Sequence, residues 1–148
     1  MKKFDIFYAD DDEDDLMFFN EAIEKLSNES ESQINLHIHK NGESLIENIK
    51  NNKSAHGVVF LDINMPFKSG FQLLEEIRTE PEIKAFPVIM FSTSSNIDNI
   101  EKSQKLGANY YVIKPYEFSD LLKMIATFIQ LNWDSHQTDL KNFLYKHH

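Results

Sequence analysis

An unbroken run of acids, Asp10-Asp11-Asp12-Glu13-Asp14-Asp15, an isolated acid at Asp62, a hydroxyl at Ser92 and an amine at Lys114 are the residues of this 148-residue chain whose types and placement could do chemistry. Each stands at the end of an apolar run: Phe4 to Ala9 (broken only by Asp5), Val58 to Leu61, Pro87 to Phe91, and Tyr110 to Ile113. Short runs of that kind suit strands buried on both faces of a parallel sheet. The carboxyl ends of such strands share one edge, where open α/β sheets bind their ligands. Carboxylates gathered there repel one another and raise their own pKa values unless a cation joins them, and a cluster offering only oxygen is the preference of Mg²⁺. Lys114 adds a positive point charge and Ser92 a hydroxyl donor. Together they describe a phosphoryl site without a nucleotide loop: a metal, a cation and a hydroxyl around one carboxylate nucleophile. Taken alone, Asp62 would be an ordinary N-cap or solvated loop acid; the convergence is what makes it specific.

The elements that must position these groups alternate strand and helix five times, which argues for a parallel sheet covered on both faces. After the acids, Leu16, Phe19, Ile23 and Leu26 recur at helical spacing, and acids in the first turn suit the helix dipole. Ile34 to His39 alternates with period two, as a half-exposed edge strand does, and Asn41-Gly42 breaks it. Leu45, Ile46 and Ile49 give a short second helix. Beyond Leu61, the stretch from Asp62 to Gly70 reads as a loop of fixed shape, because Pro66 cannot continue a ladder and Gly70 permits an unusual backbone angle. Phe71, Leu74 and Ile77 mark a third helix ending near Pro81, Ile97 to Leu106 a weakly amphipathic fourth stopped by Gly107, and Glu117 to Leu131 a strongly apolar fifth.

A hydrophobic content of 41% with only four Gly and four Pro suits one globular domain. A formal charge of -9, with no cluster of Lys and Arg, argues against direct nucleic-acid binding. The absence of cysteine excludes a disulfide scaffold and a thiol nucleophile. No stretch reaches the length of a membrane span and the N-terminus lacks the apolar core of a signal peptide, so a cytoplasmic protein is expected. The domain is expected over residues 3–131. Asn132 to His148 reads as a tail in which Trp133, Leu140, Phe143 and Leu144 could form a turn or two of amphipathic helix, packing on its own domain in preference to a homodimer contact.

In their order and spacing, Ala9-Asp10-Asp11, Leu61-Asp62-Ile63-Asn64-Met65-Pro66 with Gly70, Phe91-Ser92-Thr93, and Tyr111-Val112-Ile113-Lys114-Pro115 resemble the motifs of a response regulator receiver domain of two-component signalling, specifically a single-domain, chemotaxis-type regulator. The resemblance covers about Lys3 to Leu131. It implies a flavodoxin-like three-layer α/β sandwich, with a five-stranded parallel sheet of order 2-1-3-4-5 and five helices. It also implies that Asp62 is the phosphoacceptor, Asp11 a direct Mg²⁺ ligand and Asp10 a ligand acting mainly through water, with the backbone carbonyl of Asn64 completing the protein's share of the metal shell. Ser92 and Lys114 would bind phosphoryl oxygens, and Tyr111 would be the aromatic switch that turns inward as Ser92 is drawn toward the phosphate. The Lys114-Pro115 bond is expected to be cis. Any adjacent pair from Asp10 to Asp15 could be the metal pair. Asp10 and Asp11 follow the apolar run directly, whereas Asp14 and Asp15 belong to the helix start, and Asp12 is the competing choice. Phe67, Ser69 and Thr93 depart from the commoner family pattern, and Phe67 and Thr93 are expected to restrict access.

The implied activity is Mg²⁺-dependent acceptance of a phosphoryl group on Asp62 from a sensor histidine kinase or histidine phosphotransfer protein. Such a chain catalyses only its own phosphorylation and dephosphorylation and is not an enzyme acting on a small metabolite. No DNA-binding or catalytic output domain follows the fifth helix, so signalling is expected through contacts with a downstream protein. Two other classes compete. A receiver-like adaptor would bind partners without being phosphorylated. A haloacid-dehalogenase-type phosphatase shares an Asp nucleophile and the spacing of Asp10 and Asp12, but would want Thr or Val where Asp14 stands. The acids also scan as a calcium loop through Asp10, Asp12, Asp14 and Glu21, a reading that fails at Asp15, where glycine is needed. His37 and His39 share one face of the edge strand, where solvent-facing positions are a simpler reading than a metal site. His147 and His148 are assigned no role.

Overall fold

The computed structural model describes residues 3–30, 33–52, 56–134 and 141–147. Strands β1 (Lys3–Ala9), β2 (Gln33–His39), β3 (His56–Leu61), β4 (Val88–Ser92) and β5 (Tyr110–Ile113) form one parallel sheet in the order β2-β1-β3-β4-β5. Helices α1 (Glu13–Glu29), α2 (Leu45–Asn51), α3 (Gly70–Thr79), α4 (Ile97–Lys105) and α5 (Phe118–Gln130) alternate with them. The pleat of β1 divides the interior: Phe4, Ile6 and Tyr8 pack with Leu16 and Phe19 of α1 and with Leu121 and Phe128 of α5, while Phe7 and Ala9 pack with Leu45 of α2 and Leu73 and Ile77 of α3. The result is the expected three-layer flavodoxin-like sandwich.

Register carries the polar strand ends to one edge. Ala9 pairs with Leu61, and the Asp62 N–H donates to the Ala9 carbonyl at 3.0 Å, so Asp10 and Asp62 emerge side by side. Ser92 pairs with Ile113, and the Lys114 N–H donates to the Ser92 carbonyl at 2.8 Å. Along the side of the sheet the edge strand β2 is partly exposed, though not in alternation, since Ile38 is exposed and His37 and His39 are half-buried and engaged. His37 Nε2 lies 2.9 Å from Oδ1 of the buried Asp5 and its ring stacks on Phe7, while His39 Nδ1 lies 3.0 Å from the Glu43 carbonyl. Both rings are thus occupied by partners of their own sheet and loop, in place of the expected solvent-facing positions.

Gly70 is required for a different reason from the one its sequence suggests. Its backbone is not left-handed; a Cβ there would lie 2.3 Å from the Asp62 carbonyl oxygen. The close approach of the α3 N-terminus to the end of β3 needs a residue with no side chain. The unusual angle falls instead on Phe67, at φ 71°, whose ring is 90% exposed. Ser69 then caps α3, accepting from the Gln72 N–H while Gln72 accepts from the Ser69 N–H. The expected cis bond at Lys114-Pro115 is not found, and no cis peptide occurs among the described residues. The free-energy gap between the two forms before proline is small enough, about 0.5–1 kcal/mol, for local packing to choose.

The tail also departs from expectation. Residues 141–147 form a turn that leads into a strap along β5, not an amphipathic helix: Leu144 bridges Tyr111 in parallel, the Tyr111 N–H donates to the Phe143 carbonyl and the Tyr145 N–H to the Tyr111 carbonyl, both at 2.9 Å. The outer N–H and C=O groups of the edge strand β5 supply the pairing that a helix would have left open. Phe143 is buried in the α2/α3 layer beside Tyr111, and Tyr145 packs on Phe128 of α5. Trp133 Nε1 donates to the Phe128 carbonyl at 2.8 Å. Leu140 and His148 lie outside the described residues.

Candidate functional site

The carboxylates of Asp10, Asp11 and Asp62 each offer an oxygen within 4.8 Å of the others. Asp10 is fully buried, Asp62 is 8% exposed and Asp11 is exposed. Asp10 Oδ1 accepts from the Asp12 N–H at 3.0 Å, while Oδ2 accepts from the Tyr8 hydroxyl and from Lys114 Nζ, the latter at 2.7 Å. Lys114 Nζ also lies 2.8 Å from Asp15 and 3.7 Å from Asp62, with the Phe91 ring beneath it. Asp12, the competing metal candidate, is exposed and caps α1, its Oδ1 accepting from the N–H groups of Asp14 and Asp15. Asp14 and Asp15 lie inside α1, where a calcium loop would have to continue.

Burial pushes the Asp62 carboxyl up to about 7; Lys114 opposes the shift, and the charges of Asp10 and Asp11 reinforce it. Burial alone would lower Lys114, but its bonds to Asp10 and Asp15 hold it above the ordinary lysine value. The Tyr8 hydroxyl is likewise raised, first by burial and then by the charge of Asp10. Three carboxylates, partly buried and served by one ammonium, carry an excess of negative charge that a divalent cation would neutralise. Their oxygen-only donor set suits a hard cation such as Mg²⁺. Asp10, Asp11 and Asp62 are the residues that would hold it.

Ser92 is buried, and its Oγ accepts from the Ser94 N–H at 3.1 Å. The Tyr111 ring is fully buried and its hydroxyl donates to the Ser94 carbonyl at 2.9 Å. Asn64 stands exposed two residues beyond Asp62, and Thr93 is exposed at the mouth of β4. The structure therefore gathers Asp10, Asp11, Asp62 and Lys114 at one point, with Ser92 and Tyr111 linked through Ser94. Three further contacts lie outside the sequence motifs. Asp15 belongs to the helix start, as its position implies, but α1 also aims it at Lys114. Tyr8 shares the Asp10 face by strand alternation, the one signal that could have found it. Ser94 acts largely through its backbone, which no side-chain pattern reveals.

A parallel five-stranded sheet of this order with acids at the ends of β1 and β3 defines a flavodoxin-like domain of the receiver type. The chain belongs to the response regulator receiver domain family, whose profile matches residues 6–126. It is 36% identical over 74 residues to the response regulator Rcp1 of Synechocystis sp., a match spanning 50% of this chain and 50% of Rcp1. Among solved structures, the phosphorylated cyanobacterial phytochrome response regulator RcpA superposes with a TM-score of 0.72 at 30% identity, covering 90% of this chain and 96% of RcpA. The BeF3-activated DrrB receiver domain superposes with a TM-score of 0.64 at 27% identity, covering 88% and 100% of the two chains. Among the described residues no helix is long and apolar enough to cross a membrane.

Proposed function

We propose that this chain is a phosphoaccepting receiver in which Asp62 takes a phosphoryl group from a phosphohistidine of a sensor histidine kinase or histidine phosphotransfer protein. The observation that carries the reading is the convergence of Asp10, Asp11 and Asp62 beside Lys114. An Asp62 oxygen attacks phosphorus, a P–O bond forms as the P–N bond breaks, and the imidazole nitrogen leaves with its electron pair. Mg²⁺ supplies charge neutralisation when held by Asp10, Asp11 and Asp62, with the Asn64 carbonyl as a further ligand. Lys114 takes a phosphoryl oxygen with an N–H that Asp62 does not hold, and Ser92 offers its hydroxyl to another. The added charge of about -1.5 to -2 draws on Ser92 and Lys114 and biases the surface of α4, β5 and α5, to which Tyr111 belongs. Signalling then passes through contacts with a downstream protein, in the cytoplasm, and the chain acts catalytically on nothing but itself. RcpA, named as phosphorylated, lends this support at 30% identity.

Intact mass after incubation with acetyl phosphate, with and without Mg²⁺, tests the reading. The expected result is a gain of one phosphoryl group that needs both Mg²⁺ and Asp62. A full gain in Asp62→Asn removes the assignment, and no gain in the unaltered protein favours a phosphorylation-independent adaptor.

A further inference from the structure

The strap over β5 meets the Tyr111 end of the site, and nothing in the receiver reading makes use of it. Both outward backbone groups of Tyr111 are tied to it, through the Phe143 carbonyl and the Tyr145 N–H, each at 2.9 Å. Further along, His147 Nε2 lies 3.0 Å from the Ile113 carbonyl, so the contact continues toward the end of β5. Phe143 is buried in the same apolar layer as Tyr111, and Leu144 packs against that layer. The strap is held on its other side as well, by Tyr145 against Phe128 of α5 at 5.4 Å between ring centroids. The Tyr111 ring has no exposed surface. Its hydroxyl donates to the Ser94 carbonyl, and the Ser94 N–H donates to Ser92 Oγ. An unbroken set of contacts therefore runs from the tail, through Tyr111 and Ser94, to the Ser92 hydroxyl at the carboxyl end of β4.

We propose that Phe143, Leu144 and Tyr145 are positioning residues for the switch: the strap holds the Tyr111 ring inward, and with it the Ser92 end of the site, before any phosphoryl group arrives. This rests on the receiver reading above. A phosphoryl group favours the inward arrangement, so its apparent affinity is reduced by whatever fraction of molecules hold the ring elsewhere. A chain whose tail already fixes the ring avoids that loss. Tyr111 and the strap then form a single unit, and a partner reading the β5 side meets the tail and not a bare sheet edge.

The test uses the full chain and beryllofluoride with Mg²⁺ as the phosphoryl mimic, titrated into the unaltered protein, Phe143→Ala, Phe143→Leu and Tyr145→Pro. Tyr145→Pro deletes the N–H that Tyr111 accepts while leaving Phe143 in place. Hydrogen exchange at the Tyr111 amide reports whether the strap is seated, and thermal melting reports whether each variant is folded. Expected is faster Tyr111 exchange with about tenfold weaker beryllofluoride binding in Phe143→Ala and Tyr145→Pro, for an inward population falling to about a tenth, and recovery in Phe143→Leu. Should Phe143→Ala fail to fold, Tyr145→Pro decides. Faster exchange with unchanged affinity overturns the proposal, and so does a Tyr111 amide that already exchanges freely in the unaltered protein. An unaltered protein that binds no beryllofluoride, with a protected Tyr111 amide, instead brings down the receiver reading and this inference with it.

Discussion

Lys114 Nζ stands 3.7 Å from Asp62 Oδ1, inside the range of an ion pair but beyond that of a hydrogen bond. Its bonds go to Asp10 at 2.7 Å and Asp15 at 2.8 Å, so the ammonium favours the ionised form of Asp62 without occupying its oxygens. The nucleophile is held near a cation yet left open.

That division of labour predicts the behaviour of Lys114→Met. Removing one partner of a buried ion pair leaves the fully buried Asp10 uncompensated, a change that costs about 3–5 kcal/mol. A divalent cation would restore the missing positive charge. The metal-free variant is therefore expected to melt well below the unaltered protein, and saturating Mg²⁺ to raise its melting temperature by more than it raises that of the unaltered protein. Equal Mg²⁺-dependent gains would show that Lys114 and the metal do not share carboxylates.

The pH dependence follows from Asp62. Its folded pKa, raised by burial to about 7 from 3.8, exceeds the unfolded value, so the folded state holds the proton more tightly. The stability this contributes is complete below the unfolded value and is lost as pH rises through the folded one. Asp62→Asn, which carries no charge at any pH, escapes that loss. Without metal it is expected to melt above the unaltered protein at about pH 8, with the advantage disappearing toward about pH 4. Mg²⁺ should narrow the gap at the higher pH by stabilising the ionised carboxylate. An advantage that does not vary with pH would mean that the buried charge is not its source.

The fold was legible because its signals were long or redundant. Val58 to Leu61 and Val88 to Phe91 read as doubly buried strands, and they are. Asp10, Asp11 and Asp62 were legible because each directly follows or closely trails an apolar run that can only end at the sheet edge. The strand order came from the resemblance, since periodicity carries no information on which strands pair. What escaped depends on contacts distant in sequence. Asp15 reaches Lys114 across 99 positions, by way of the α1 register. In the tail, Phe143 and Leu144 pack on their own domain as expected, but they suit a helix or a strand equally in so short a segment, and the open edge of β5, invisible in the sequence, decides between them.

The Tyr8 hydroxyl is a second point where a buried polar group depends on the site. Tyr8 is fully buried among Phe19, Phe91 and other apolar side chains, and Asp10 Oδ2 accepts its proton. Tyr8→Phe keeps the ring and leaves no large cavity, so the change isolates the bond. A hydrogen bond to a charged group contributes about 1.5–3 kcal/mol, and urea unfolding of the metal-free variant near neutral pH is expected to report a loss of that size. A loss under about 0.5 kcal/mol would mean that Asp10 does not rely on Tyr8.

Gly70 offers the sharpest test of how the loop after β3 is held. Its N–H donates to the Ile63 carbonyl at 3.1 Å, and an added Cβ would stand 2.3 Å from the carbonyl oxygen and 2.9 Å from the carbonyl carbon of Asp62. Both obstacles are backbone, so no rotamer change relieves them, and either α3 or the end of β3 must move. Alanine ordinarily stabilises a helix over glycine by about 1 kcal/mol. At Gly70 the opposite sign is expected. Gly70→Ala should lower stability and also weaken Mg²⁺ binding, because the displaced backbone is that of Asp62 itself. A control on α4, Ser103→Ala, removes a buried hydroxyl that donates to the Asn99 carbonyl at 2.7 Å, remote in sequence from Asp62, and should leave Mg²⁺ affinity unchanged. If Gly70→Ala lost stability while binding Mg²⁺ as tightly as the unaltered protein, the loop would be shown to relax without disturbing Asp62. The close approach would then serve α3 packing and not the site.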